Sequence, residues 1–377
     1  MNEQRNLLII SDINIDSGFG KEHFIYEMAK EFHHSFKVTI LEPTIGSKKK
    51  NFNEDLSALG VNLEFYDNIA GTLIPVKLGS FKKFIKIIRK QDVIYLAESD
   101  PLTDILLKVF VNSKKTKLYR GYHNPLKYDI FPNGKNISKI SPRRLYYKIV
   151  LIIEKNFNGV HVENTDHYRE LSKLGYKNIV ILPPTIDNPL FDTTSKKFEK
   201  FSVLFLGRLN YHKGSDQIPH IIREISVKLP FVDIYVAGDG ILSDEVRINC
   251  ELYHNCHFLG FLTNFEKDSF LGKCHVLLAP TRVEAFMLTG IESMARGTPV
   301  ISFQVPGPND YIEEGKNGYL AKNSEDMLKK INKMYTEFIE GSYERYRDNC
   351  LKTASNYYPE QRKGSFLNLI SQLDKRR

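Results

Sequence analysis

The feature that most restricts the fold is an alternation of short apolar runs with segments of helical spacing, and the whole alternation occurs twice. In the first series, runs at Leu7–Ser11, Lys37–Leu41, Asn62–Phe65, Val93–Ala97, Lys117–Gly121, Val160–Glu163 and Ile179–Leu182 read as strands bounded by polar residues. Between the first two, Phe24, Ile25, Met28, Ala29 and Phe32 fall on one helical face. From Leu182 to Phe201 the pattern breaks: PPTIDNP is proline-rich and DTTSKKFEK is polar, so this stretch is the expected linker. It then restarts with strands at Ser202–Leu206, Asp233–Ala237, His257–Gly260, His275–Ala279, Val300–Phe303 and Tyr319–Ala321. Ile218, Ile221, Ile222 and Ile225 line a helix near the start of this second series, and Thr263 with Glu266 has the spacing of a helix capping box. From Ser324 onward the chain reads as charged helix, interrupted by YYPE at Tyr357–Glu360.

Strands alternating with helices assemble as parallel βα units. At 377 residues the chain exceeds what one core usually supports. The expectation is an α/β protein of two Rossmann-like domains facing a cleft. Composition fits a globular protein, with 42% hydrophobic and 26% charged residues. The net charge of +8 points to an anionic partner. Nucleic acid is not expected, since no Lys/Arg-dense tail, zinc-ligand spacing or aromatic RNA-binding signature occurs.

Cys250, Cys256, Cys274 and Cys350 form no CxxC pair, which argues against a metal site or disulfide framework and suits a reducing compartment. The N-terminal apolar run is too short for a signal peptide, and LYYKIVLII at Leu145–Ile153 contains Lys148 and is far below the ~20 residues of a membrane span. A cytoplasmic protein, soluble or at most peripheral at the membrane, is expected. Phe81–Lys90 (FKKFIKIIRK) has two readings: a surface helix packing its apolar face on the sheet, or a membrane-docking face that Arg143, Arg144 and Lys148 would extend.

Candidate chemistry concentrates in Ala279–Phe303, a strand, a loop, a helix from about Thr289 and a further strand. Glu284 sits in the loop and Glu292 in the helix. Open α/β sheets hold ligands outside the strand ends, and helix N-termini attract phosphate. Thr289 and Glu292 also have capping-box spacing, so Glu292 has a structural reading beside that of a ribose-hydroxyl acceptor. GRLNYHKG at Gly207–Gly214 follows a strand and precedes a helix, which sets Arg208 and Lys213 at the same kind of strand end for a diphosphate. SGFG at Ser17–Gly20 is a degenerate glycine loop, with Gly18 and Gly20 able to approach a ligand or simply to turn the chain. His123, after a strand in YRGYHNP, is a ligand-binding or a structural histidine.

Together GRLNYHKG, GDG at Gly238–Gly240, FLGF at Phe258–Phe261, EAFMLTGIE and SMARGTPVISFQVPGPNDYIEEGKNGYL resemble the retaining glycosyltransferases of family 4. The resemblance is strong over about Phe201–Ala321 and looser upstream. It implies the GT-B fold, with residues 1–185 binding acceptor, 186–356 binding donor, and a helix at about 357–377, starting near YYPE, crossing back to the N-terminal domain. It assigns Arg208 and Lys213 to the donor diphosphate, Glu292 to the ribose, and Glu284 with His123 to the reacting sugar. The backbone at Phe286, Met287 and Leu288 would face the donor. Asn164 stands where many members have Ser, and Met287 where they have Gly.

The implied reaction moves a hexosyl group from a nucleotide-diphosphate sugar to an acceptor hydroxyl with retention, in glycan or glycolipid biosynthesis. No cofactor or metal is expected, since no DxD-like carboxylate pair stands in a context that demands Mg²⁺. A glycan or lipid-linked acceptor is expected as partner, with possible contact to an anionic membrane surface, and Asn124–Pro142 is an acceptor-loop candidate. Rival readings are a nucleotide-sugar epimerase, a phosphorylase, or a non-catalytic sugar-nucleotide binder of the same fold.

Overall fold

A computed structural model describes residues 4–12, 14, 20–43, 52–66, 78–97, 101–126, 151–187, 196–362 and 364–375. Gly18, Arg143, Arg144, Lys148 and most of the Asn124–Pro142 segment lie outside the described residues. The described chain forms two compact units. One contains the residues up to Thr185 together with those from Arg362 onward, and the other runs from Ile186 to Gln361.

The first unit is built on a parallel sheet of β1 (Arg5–Ile10), β2 (Phe36–Pro43), β3 (Asn62–Tyr66), β4 (Val93–Leu96), β5 (Lys117–Tyr122), β6 (Gly159–Val162) and β7 (Ile179–Ile181), in the order β3-β2-β1-β4-β5-β6-β7. The central strand explains why its sequence is unbroken Leu and Ile. Leu7 and Ile9 join a core with Phe24, Met28 and Phe32 of the helix Gly20–Phe32. Leu8 and Ile10 point to the opposite face and pack with Phe84 and Ile88 of the helix Leu78–Ile88. Side chains alternate across a strand, so a strand covered on both faces is apolar at every position. The basic helix therefore packs its apolar side on the sheet. No helix among the described residues is long and apolar enough to cross a membrane.

The final helix, Ser365–Lys375, belongs to this unit. Phe366, Leu369 and Ile370 enter the Leu7 core, and the Glu31 carboxylate accepts the amides of Gly364 and Leu367 at 3.0 and 2.9 Å. Its start is later than the aromatic YYPE segment suggests. Two short 3₁₀ turns, Ser355–Tyr357 and Pro359–Arg362, come first. The cause is Pro359: the residue before a proline is driven out of the helical region, and Tyr358 is extended at φ −75°, ψ 149°.

The second unit repeats the arrangement with β8 (Ser202–Leu206), β9 (Asp233–Ala237), β10 (Cys256–Gly260), β11 (Val276–Ala279), β12 (Val300–Phe303) and β13 (Gly318–Ala321), parallel in the order β10-β9-β8-β11-β12-β13. After β8 the chain builds outward through β9 and β10, then returns to lay β11 on the other side of β8. The two connections leave β8 and β11 in opposite directions. Their C-terminal ends thus frame a crevice that no crossover covers, which is where open α/β sheets take ligands.

Candidate active site

Two loops meet at that crevice. The first, Gly207–Gly214, is shaped by its own polar residues: Asn210 Oδ1 accepts the Lys213 amide at 3.0 Å, and Ser215 Oγ accepts the Asn210 amide at 3.1 Å. Gly214 has φ +68°, and a Cβ there would lie 1.8 Å from the Pro280 carbonyl oxygen. Only glycine lets the first loop lie against the second. The second loop is clamped from the other side. Arg282 makes a two-pronged ion pair with Asp216, at 2.5 and 2.8 Å, and its amide donates to the His212 carbonyl at 2.8 Å. Planar guanidinium–carboxylate pairing fixes direction as well as distance.

The clamp brings Arg208, Lys213, Glu284, Met287 and Thr289 to the wall of one solvent-open pocket of about 430 Å³. Lys213 Nζ pairs with Glu284 Oε1, and the Thr281 hydroxyl donates to the same oxygen at 3.0 Å. Glu284 is buried, at 8% exposure, while the Lys213 side chain retains 30%. Arg208 is exposed and makes no side-chain ion pair among the described residues. The site thus holds two cations and one carboxylate, with one cation already neutralised and the other facing solvent.

Met287 sits at φ +65°, ψ 69°, and is the one non-glycine residue with positive φ among the described residues. The left-handed conformation costs a side-chain-bearing residue about 1–2 kcal/mol, which accounts physically for glycine at this point in the resembled family. It turns the chain into the helix Leu288–Met294. The amides of Phe286, Met287 and Leu288 find no acceptor among the described residues, and Met287 lines the pocket. Buried Tyr311 braces the turn by donating to the Met287 carbonyl at 3.2 Å. Burial, then the charge of Glu284, raises the Tyr311 hydroxyl well above its ordinary pKa, so it remains a donor.

Glu292 departs from its structural reading. The helix starts at Leu288 with Met287 as its cap residue and no side-chain cap, so Thr289 and Glu292 form no capping box. The left-handed Met287 advances the helix start by one residue and takes Thr289 out of the capping position. Glu292 instead pairs with Lys267 at 2.7 Å, and its backbone carbonyl accepts from Arg296 at 3.1 Å. The expected capping box at Thr263 and Glu266 does form.

His123 and Gly20 belong to the first unit, where Gly20 opens the helix Gly20–Phe32. His123 follows β5 with its ring against Phe24, centroids 4.5 Å apart. Its Nδ1 lies 2.7 Å from Glu163 Oε1 and its Nε2 3.0 Å from Tyr95 Oη. Tyr95 Oη is also 3.0 Å from His161 Nδ1, and His161 Nε2 is 2.6 Å from the Leu182 carbonyl oxygen. Burial foremost, then the positive charge of His123, lowers the His161 pKa to about 3. Asn164 caps the helix Thr165–Lys173 by accepting the His167 amide at 2.7 Å, a role in which Asn and Ser are interchangeable.

Sequence reasoning missed Tyr95, His161, Glu163, Arg282, Asp216 and Lys267. The first three lie in or beside strands read as apolar, where a polar residue at a strand end is itself a signal. Arg282 and Asp216 are an ordinary charge pair in sequence, and only the approach of two distant loops gives them a function. Among the described residues, no cluster of His, Cys, Asp and Glu is arranged to hold a metal ion.

Residues 189–352 match the family described as glycosyl transferases group 1. Among curated proteins, the chain is 24% identical over 214 residues to the O-antigen biosynthesis glycosyltransferase WbnH of Escherichia coli, covering 55% of this chain and 58% of the relative. It is 23% identical over 172 residues to the gpi3 subunit of phosphatidylinositol N-acetylglucosaminyltransferase from Schizosaccharomyces pombe, covering 44% and 38%. The chain thus spans about half the length of the first of these relatives, and less of the second. Anabaena HepE, solved with UDP and glucose, superposes with a TM-score of 0.72 at 15% identity over 98% of this chain and 100% of that one. The pneumococcal O-GlcNAc transferase GtfA, solved with UDP and GlcNAc, gives 0.72 at 13% identity over 98% and 99%. The fold is GT-B.

Proposed function

We propose that this chain is a retaining, metal-independent glycosyltransferase of family 4. It moves a hexosyl group from a nucleotide-diphosphate sugar to a hydroxyl of a glycan or lipid-linked acceptor, in the cytoplasm at the inner face of a membrane. The observation that carries this reading is the grouping of Arg208, Lys213 and Glu284 around one pocket at the switch point of the second unit's sheet. The kinds of relative, one an O-antigen biosynthesis glycosyltransferase and one a phosphatidylinositol N-acetylglucosaminyltransferase, support the acceptor class.

The bond from the anomeric carbon to the diphosphate breaks, and negative charge grows on the leaving oxygen. Exposed Arg208 supplies a forked donor, Lys213 a point charge, and the amides of Phe286 to Leu288 fixed dipoles that need no reorganisation. Glu284 accepts hydroxyls of the donor sugar and shares Lys213 with the diphosphate. Its present pairing keeps a buried carboxylate neutralised until the donor enters. Glu292 takes the ribose hydroxyls, with Lys267 releasing or orienting it. The acceptor oxygen bonds to the anomeric carbon from the face the diphosphate leaves, and its proton passes to the departing phosphate oxygen. His123 is assigned to the reacting sugar on the strength of the family resemblance.

Lys213→Ala tests the assignment. Removal of one fixed electrostatic donor lowers turnover by about 10²–10³-fold. Affinity for the free nucleoside diphosphate, measured by calorimetry, falls about 10–100-fold, the equivalent of one charge-assisted hydrogen bond. Unchanged turnover together with unchanged nucleotide affinity would sink the diphosphate role.

A further inference from the structure

The hydrogen bonds around His123 fix its protonation state through one acceptor that carries no proton. The Leu182 carbonyl can only accept, so His161 Nε2, 2.6 Å away, must carry a hydrogen. His161 is buried with its pKa held near 3, so at neutral pH that is its single ring proton and Nδ1 is bare. Tyr95 Oη, 3.0 Å from Nδ1, must therefore be the donor of that bond. Tyr95 remains protonated, since burial and then the charge of Glu163 raise its pKa well above the ordinary value. A hydroxyl has one proton, and Tyr95 has used it. The face it turns to His123 Nε2 at 3.0 Å holds only lone pairs, so Nε2 must donate. The remaining nitrogen, Nδ1, faces Glu163 Oε1 at 2.7 Å.

We propose that His123 is held as an imidazolium, protonated on both nitrogens against an ionised Glu163, with Tyr95, His161 and the Leu182 carbonyl as positioning groups that deny it a free lone pair. The backbone is built around the arrangement. A Cβ on Gly121 would lie 2.0 Å from Tyr95 Oη and 2.5 Å from His123 Nε2, so glycine leaves the room the chain of bonds occupies. The side chain of His123 is 1% exposed and that of Glu163 6%, which protects the pair from exchange with water. Among the described residues, the titratable groups in contact with the ring are Tyr95 of β4, His161 of β6 and Glu163 just after it, and Arg120 of β5 acts on Tyr95. Phe24 packs against the ring.

The inference deepens the proposed function and rests on it for its chemical meaning. An imidazolium with both N–H groups engaged is neither nucleophile nor general base. The acceptor's proton must then leave by another route, and the departing phosphate oxygen is the base the reaction itself supplies. The pair's charges cancel, so His123 contributes shape and a fixed local dipole in place of a net cation.

The test is a two-bond ¹H–¹⁵N correlation spectrum of the full chain labelled on histidine, with signals assigned through His123→Gln and His161→Gln. At about pH 7.5, His123 is expected to show two protonated nitrogens and His161 one, with His123 unchanged up to about pH 9. A bare nitrogen on His123 overturns the proposal, because the proton then resides on Glu163. Glu163→Gln is expected to turn His123 neutral at the same pH and to introduce a titration into the pH–rate profile. Should that variant not fold, Tyr95→Phe is expected to lower the pH at which His123 loses its second proton, and an unmoved titration counts against the proposal. The spectrum does not depend on turnover. Absence of glycosyl transfer by the wild-type chain would defeat the proposed function and leave the proton count standing; a neutral His123 in an active chain would do the reverse.

Discussion

The two units handle charge in opposite ways. In the second, Lys213 and Glu284 pair at the wall of an open pocket, with Lys213 30% exposed and Arg208 facing solvent. In the first, His123 and Glu163 pair at 1% and 6% exposure, and every polar neighbour in the chain from Leu182 to Glu163 has its partner inside the protein. A pair open to solvent on its cationic side is partly screened and readily exchanged for a ligand. A buried, satisfied network is rigid and costly to break. One arrangement suits binding and release of a polyanion; the other suits holding one group in one state.

The sharpest way to break this contrast is to remove one atom from the buried side. Among the described residues, Tyr95→Phe removes the donor to His161 Nδ1 and the acceptor for His123 Nε2, both in the interior. Each unsatisfied buried group costs about 1–3 kcal/mol, so the first unit is expected to lose about 3 kcal/mol of stability. Lys213→Ala, by comparison, is expected to cost about 1–2 kcal/mol, since the pair opens to solvent on the Lys213 side but its loss leaves the buried Glu284 carboxylate with the Thr281 hydroxyl in place of a cation. Urea unfolding followed by hydrogen exchange in each unit reads both values. Equal losses in the two variants would mean that burial does not distinguish the sites.

Within the second unit, Met287 offers a subtler comparison. Its side chain is 7% exposed and packs with Ile291 and Phe286, yet its backbone is left-handed. Replacing it with Ala or Gly removes the same buried side chain, at about 2–5 kcal/mol. Ala keeps the left-handed strain of about 1–2 kcal/mol and Gly relieves it, partly offset by the greater freedom of glycine in the unfolded chain. Met287→Gly is therefore expected to be more stable than Met287→Ala by about 0.5–1 kcal/mol, the reverse of the usual order of these residues. The urea midpoints of the two variants decide it, and Ala above Gly would show that the turn carries no strain.

The sheets were legible because periodicity and burial report the same thing. Leu7 to Ile10 is apolar at every position since both faces are covered, and the Thr263–Glu266 cap is a local bond between near neighbours. The clustering of Arg208, Lys213 and Glu284 followed from strand–loop–helix junctions, whose direction is set by the strand. The final helix start was misjudged by aromatic content, which says nothing about the extended Tyr358 that Pro359 enforces. The capping alternative for Glu292 failed because a capping box presumes an extended cap residue, and nothing in the composition of EAFMLTGIE announces a left-handed methionine. The histidine network was invisible for another reason: Tyr95, His123, His161 and Glu163 come from three strands, and their meeting depends on the register that sets Gly121 opposite His161.

Titration separates the units by the pH at which each loses stability. In the first, burial lowers His161 to about 3 and His167 to about 4 from the ordinary 6.5, so the unfolded chain binds those protons first. Their stabilisation is complete above about 6.5 and is lost as the pH falls toward those values. Glu154 is moved the other way: burial, opposed by Arg120, holds it up to about 8 from 4.5, so its contribution is full below 4.5 and is lost as the pH rises through 8. Between 4.5 and 6.5 two histidine protons outweigh one glutamate proton, and between 6.5 and 8 the glutamate and the proposed imidazolium of His123 both lower stability as the pH rises. The first unit is expected to be most stable near pH 6.5. In the second unit the Lys197 ammonium is enclosed by the Cys274 carbonyl and the Thr298 hydroxyl, although its stem reaches the surface. Burial lowers it to about 8 from 10.5, so its contribution is complete above 10.5 and lost as the pH falls toward 8. The buried thiols of Cys274 and Cys350, raised from 9, act the other way and lose their contribution as the pH rises past 9. The second unit is thus expected to change little between about pH 6.5 and 8.5, where the first declines, and to lose stability only above about 9. Each uncompensated proton is worth about 1.4 kcal/mol per pH unit. Native-state proteolysis with cleavage sites mapped to each unit, at about pH 5, 6.5, 8 and 9.5, separates the two profiles. Parallel profiles would show that the buried groups named here do not govern them.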